Sequence, residues 1–181
     1  MRLICLFAAL ALTPLPALAA NANGAASATV VKPIAVRQIS DLDFGVIAAN
    51  GRSAGSVTIT PGRSAADYSG GARTACHSQA RCPAPHVAQF EVTGEAGRAY
   101  SISAPARLSV EENPQGAGRA EPMLVVDAIQ LRSASRPGAG SAGRLDSAGI
   151  DRFDLGGTLR VPAATPPAHF RLSVEVIVTY S

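Results

Sequence analysis

Apolar and polar residues alternate most cleanly at the end of the chain. From Phe170 to Ser181, FRLSVEVIVTYS, the residues Phe170, Leu172, Val174, Val176, Val178 and Tyr180 take every second position. Arg171, Ser173, Glu175 and Thr179 lie between them, and only Ile177 breaks the polar side. Successive side chains of a strand point to opposite faces, so this pattern predicts a long β-strand with one buried face. Full burial of all of these side chains would contribute about 10 kcal/mol. That matches the net stability of a whole domain, so another part of the chain has to cover this face.

The remaining elements are shorter. Thr29 to Val36, TVVKPIAV, is predicted as a first strand, and Pro33, which has no N–H to donate, confines it to an edge or a bulge. Leu42, Phe44, Val46 and Ile47 follow, with a bend at Gly45. Ser56 to Thr60, SVTIT, is ended by the turn pair Pro61-Gly62. Arg63 to His86 reads as loop, rich in Gly, Ala and Ser. Strands are predicted at Val87–Thr93, Tyr100–Ser103, Leu108–Val110 and Met123–Leu131, with a turn region from Asn113 to Pro122. Pro137 to Gly143 is a glycine-rich loop. Gly156-Gly157 separates Phe153 and Leu155 from a strand at Thr158–Val161, and Pro166-Pro167 precedes the last strand. Short β-branched segments punctuated by Gly and Pro, without a helical period, predict an all-β sandwich. A closed barrel is the alternative that the periodicity leaves open.

The first residues depart from this pattern. Arg2, the apolar run Leu3–Leu12 and the small residues Ala17-Leu18-Ala19 form a signal peptide, residues 1–19, with cleavage expected after Ala19. Residues 20–181 then make a single domain, exported to the periplasm, the cell surface or the medium. No later run is long and apolar enough for a membrane helix. Loss of Arg2 takes the formal charge from +3 to +2, and the basic residues are scattered arginines with Lys32 as the single lysine. Together with the absence of Trp, this argues against a nucleic-acid surface or an aromatic sugar platform.

Cys76 and Cys82, in CHSQARC, are the two cysteines after the signal peptide. In an exported chain such a pair predicts a disulfide, which closes a small loop and contributes about 2 kcal/mol. Zinc held by Cys76, His77, Cys82 and His86 is the alternative, although the spacing is not a usual zinc pattern. Two further patterns resemble catalytic or phosphate motifs. Gly51-Arg52-Ser53-Ala54-Gly55 matches G-x-S-x-G, and Gly138 to Gly143 matches G-x-G-x-x-G. Both motifs require a helix immediately afterwards, and neither is followed by one. Asp146, Asp151 and Asp154 lack the spacing of a calcium loop. Glu111 and Glu112 would face opposite ways on a strand, and Asp41 and Asp43 read as surface. The sequence therefore predicts no catalytic residue, no cofactor and no metal.

Several segments carry a family likeness: TVVKPIA at 29–35, DLDFG at 41–45, SVTITPG at 56–62, AQFEVTG at 88–94, YSIS at 100–103, LGGTLRV at 155–161 and the closing VIVTYS. In this order and spacing the chain resembles the DUF4402 domain family, uncharacterised exported bacterial proteins grouped with pilin-like adhesin folds. The resemblance implies an immunoglobulin-like, pilin-like sandwich with a fimbrial or surface role, and no known activity. The chain departs from the family's pattern at TPPAHF, before the last strand, and at CHSQARC.

The expected function is that of an exported cell-envelope structural or interaction protein, a fimbrial or pilin-like subunit that works by strand complementation. Phe170, Leu172, Val174, Val176, Val178 and Tyr180 would line the assembly groove, and Ala20–Val36 of a neighbour would fill it. The partners would be copies of the chain, related envelope subunits or a periplasmic chaperone facing the penultimate Tyr180. The alternative is a monomeric, adhesin-like binding module that uses the loops at Cys76–Cys82 and Pro137–Gly143. A hydrolase using Ser53 is the least supported reading.

Overall fold

The computed structural model describes residues 24–76, 82–109, 124–165 and 173–181. The chain divides into two units between Val30 and Val31. Residues 24–30 are exposed and without regular secondary structure. Among its described residues the second unit contains twelve strands and no helix. In order these are β1 (Ala35–Ser40), β2 (Ile47–Ala49), β3 (Gly55–Ile59), β4 (Asp67–Gly70), β5 (Ala72–Thr74), β6 (Ala88–Thr93), β7 (Ala99–Ser103), β8 (Leu108–Ser109), β9 (Val125–Ser133), β10 (Ala142–Arg144), β11 (Ile150–Val161) and β12 (Ile177–Tyr180). The all-β expectation holds.

The organising strand is β11. Its odd-numbered residues Asp151, Phe153, Leu155, Leu159 and Val161 are buried on one face. It pairs with β6 along Ile150–Leu155 and with β3 along Gly157–Val161, while β9 lies along its other side. The switch from β6 to β3 falls at Gly156, where a Cβ would collide with the carbonyl oxygen of Ile59. The two glycines read as a break in the sequence. Here they let a twelve-residue strand pass closely between neighbours without interruption. The resulting seven-stranded antiparallel sheet runs β1-β6-β11-β3-β4, with β9 on the far side of β11 and β8 on β9. A second sheet has the order β10-β7-β12, and β2 pairs with β5.

The two larger sheets meet over one core. Ala88, Phe90, Val92, Phe153 and Leu155 come from the large sheet, and Tyr100 and Ile102 from the small one, with Leu145 beside them. Phe90 and Phe153 stack with ring centroids 4.9 Å apart. A second cluster, Leu124, Val126, Leu159 and Val161, lies under the other half of β11. On the outer face, Glu91 bridges Arg37 and Arg152 across three strands, at 2.9 and 3.2 Å.

Three sequence expectations need correction. The first strand begins at Ala35, not Thr29, because Pro33 cannot enter the ladder and the more polar AVRQIS pairs with β6 instead. The segment read as loop between Arg63 and His86 contains β4 and β5, and the glycine-rich Pro137–Gly143 loop runs into β10. These strands of three or four residues are held by their neighbours and carry too few apolar residues to show a period. In the last segment only Ile177–Tyr180 is paired. Ser173–Val176 is described but lies outside any ladder, and Phe170 and Leu172 lie outside the described residues, as does the signal peptide.

Candidate functional site

The terminal segment was expected to be buried on one face, and the structure places its apolar residues only partly under cover. Val174, Val176, Val178 and Tyr180 pack against the main core, yet all four are half-buried. The cause is topological: β12 is the outermost strand of its sheet. The ladder with β7 pairs Ile177 with Ser103 and Thr179 with Ser101, and the Ser181 N–H donates to the Ala99 carbonyl at 3.1 Å. Backbone groups of an antiparallel strand alternate in direction. Those of Ile177, Thr179 and Ser181 face β7, so those of Val178 and Tyr180 face outward. The Ile102 N–H, which donates to Ser141 on the β10 side, fixes the same alternation in β7. Among the described residues no strand pairs with this outer edge. The edge therefore offers unpaired N–H and C=O groups above half-covered valines, which is the arrangement a further strand would complete.

One end of this edge is pinned by Tyr180. Its hydroxyl accepts the Glu95 N–H at 2.7 Å and donates to the Lys32 carbonyl at 2.7 Å. The Arg98 guanidinium carbon lies 5.0 Å from the ring centroid, within cation–π range.

The other sequence candidates are distributed as follows. Cys76 and Cys82 form a disulfide with Cα atoms 5.9 Å apart, so both thiols are taken and the zinc alternative loses them. His77 lies outside the described residues, and His86 Nδ1 faces the Val87 carbonyl at 3.2 Å. Glu111 and Glu112 also lie outside the described residues. Ser53 lies in a bend before β3, its hydroxyl bonded to Asn50 Oδ1 at 3.1 Å, and the strand that follows gives it no helix N-terminus. Gly138–Gly143 leads into β10, again without a helix.

The three aspartates diverge. Asp146 accepts the Ala148 and Ile150 N–H groups and shapes a turn. Asp154, on the outer face, has its pKa raised by burial, with Arg132 and Gln89 working against that. Asp151 points inward. Among the described residues no three potential metal ligands cluster.

The buried polar centre of the molecule is Asp151. Its carboxylate accepts the Tyr100 hydroxyl at 2.9 Å, the Ser135 hydroxyl and the Arg152 N–H at 2.8 Å. Tyr100 belongs to the small sheet and Asp151 to the large one, so the bond pins the two layers together. Burial, followed by the Asp151 carboxylate, pushes the phenol pKa well up. The pairing spans 51 residues and has no local motif. The one available signal was the inward position of Tyr100 in AYSIS, since a buried hydroxyl needs a partner.

No curated protein and no solved structure matches this chain. A family profile does, the domain of unknown function DUF4402, over residues 34–180. That span runs from the residue after Pro33 to the tyrosine that pins the edge, and the chain belongs to the DUF4402 family.

Proposed function

We propose that this chain is an exported structural or interaction subunit of the cell envelope, and that it takes up an extended strand from another polypeptide along the outer edge of β12. The observation that carries the reading is the edge itself. Val174, Val176 and Val178 are half-buried, and the backbone groups of Val178 and Tyr180 face outward with no described partner. An added strand would satisfy those groups and cover the valines at once. The Cys76–Cys82 disulfide suits an oxidising compartment. In this reading the sandwich is pilin-like, and the donor strand comes from a copy of the chain or a related envelope subunit, with a periplasmic chaperone able to occupy the same edge beforehand.

The test is gel mobility of envelope material containing the mature protein, unheated against boiled in detergent. A ladder that collapses to monomer on boiling is expected, and its loss on deletion of residues 20–31, which spares Ile34 and β1, would assign the donor. A single monomer band in both lanes would overturn the proposal and favour a self-complete binding module.

A further inference from the structure

The stretch before β1, Val31–Ile34, is held to the sandwich by few bonds. Pro33 has no N–H to give, and the ladder of β1 begins only at Ala35, opposite Thr93. Val30 is 95 % exposed, whereas Ile34 is half-buried against the main core. The chain thus passes from open to packed within four residues, and the bond that fixes this strap comes from the opposite sheet. The Tyr180 hydroxyl takes the Glu95 N–H and gives its proton to the Lys32 carbonyl. Those roles are dictated by chemistry, since an amide N–H can only donate and a carbonyl can only accept. The phenol has little freedom to choose another partner. Arg98 covers its ring, and its hydroxyl lies so close to Gly94 that a Cβ there would collide with it.

Tyr180 also belongs to the open edge, because its backbone groups face outward with those of Val178. One residue therefore touches both the strand-accepting edge and the strap. We propose that Tyr180 is a positioning residue that couples the two: a strand pairing with the outer groups of Val178 and Tyr180 steadies the end of β12, and the phenol passes that order to the Lys32 carbonyl. A subunit whose edge is filled then holds its own N-terminal strap more firmly. The inference rests on the strand-accepting reading of β12. Coupling of this kind is reciprocal, so a strap released from Tyr180 weakens strand uptake by the same factor, about three- to tenfold for a single hydrogen bond.

The experiment uses the mature chain and its Tyr180→Phe variant, which keeps the ring and removes only the hydroxyl. Backbone ¹⁵N heteronuclear NOEs at Val31, Lys32 and Ile34 are measured before and after titration with a synthetic peptide of residues 24–31. These NOEs report motion on the picosecond–nanosecond scale. The wild-type strap is expected to stiffen as the peptide shifts the amides of Val176–Tyr180. In Tyr180→Phe the strap values are expected to be lower from the start and not to respond, with peptide binding about three- to tenfold weaker. The NOEs of β6 and β7 should be unchanged, which a loosening of the whole sandwich would not allow. Identical strap values and identical peptide affinity in the two proteins would overturn the coupling. Failure of the peptide to shift β12 in either protein would overturn the strand-accepting reading first, and a strap difference between the free proteins would then leave Tyr180 as a static anchor only.

Discussion

The bond between Tyr100 and Asp151 makes the sharpest demand on the fold. Tyr100 is fully buried, and its hydroxyl is the contact by which the small sheet reaches the carboxylate of the large one. Tyr100→Phe leaves the ring in place and deletes one hydrogen bond to a charged acceptor, for an expected loss of about 1.5–3 kcal/mol. Asp151 would still accept from Ser135 and the Arg152 N–H, so this variant should fold. Asp151→Ala is worse, because it strands two hydroxyls, and the buried phenol alone costs about 1–3 kcal/mol when unpaired. The double variant should therefore cost less than the sum of the single ones, by at least about 1 kcal/mol. Urea unfolding with the disulfide intact measures all three, and a 2 kcal/mol loss appears as roughly a 4–8 °C drop in Tm at this size. A Tyr100→Phe variant within about 0.5 kcal/mol of wild type, or a cycle that is additive, would refute the pin.

The same bond predicts an alkaline limit. The folded pKa of Tyr100 is raised above its unfolded value, by burial first and Asp151 second. The folded state thus holds this proton more tightly than the unfolded chain does. Its contribution is complete below the unfolded tyrosine value of about 10 and is lost as pH rises beyond it. In a titration of phenolate absorbance, Tyr100 should ionise only together with unfolding, and Tyr100→Phe should flatten the alkaline limb of the stability curve.

Three further perturbations follow from the geometry. Ala128 sits at the bulge of β9, where the register with β11 shifts, with φ of 49°; Ala128→Gly should be neutral to stabilising by up to about 1 kcal/mol and Ala128→Val destabilising by about 1–2 kcal/mol, read as urea midpoints. Gly156→Ala places a methyl against the Ile59 carbonyl, which is backbone and cannot swing aside, so a loss of about 3 kcal/mol or more is expected, with amide protection lost first across β3. Glu91 has its pKa lowered by hydrogen bonds to Arg37, then Arg152; its contribution is present above the ordinary carboxylate range and lost as pH falls through the depressed value, so Glu91→Gln should remove part of the acid dependence of stability.

Much of the fold was legible because it is written in alternation. SVTIT, AQFEVT and AYSIS bury the residues that their period assigns inward, and each is found as a strand within a residue or so of its expected place. What was not legible depends on distance along the chain. Gly156-Gly157 means a break locally and a close strand crossing in context, and only the position of Ile59 decides between them. AVRQIS has no apolar period. It is a strand because β6 offers it an edge and because Glu91 meets Arg37 there. The disulfide was legible from two nearby cysteines, whereas Asp151 finds Tyr100 in the facing sheet, 51 residues away along the chain, and carries no spacing signal.

The terminal strand shows why its pattern alone overestimates its stability. Val174, Val176, Val178 and Tyr180 take the core side that alternation assigns them, but an edge strand shares such side chains with solvent until a neighbour covers it. Val92 is completely buried, and truncating it to Ala should cost about 2–3 kcal/mol, from lost transfer energy and the cavity left behind. Val176 is only half-covered, so Val176→Ala in the isolated chain should cost about 1 kcal/mol or less, the opened space being reached by water. If a partner strand covers the edge, the same truncation acts on a closed core, and its cost in the assembled form should approach that of Val92→Ala. Thermal or urea unfolding of the monomer and heat release of the assembled ladder measure the two cases. Equal costs for Val92→Ala and Val176→Ala in the monomer would mean that the edge is already covered, and the argument for an incoming strand would fall with it.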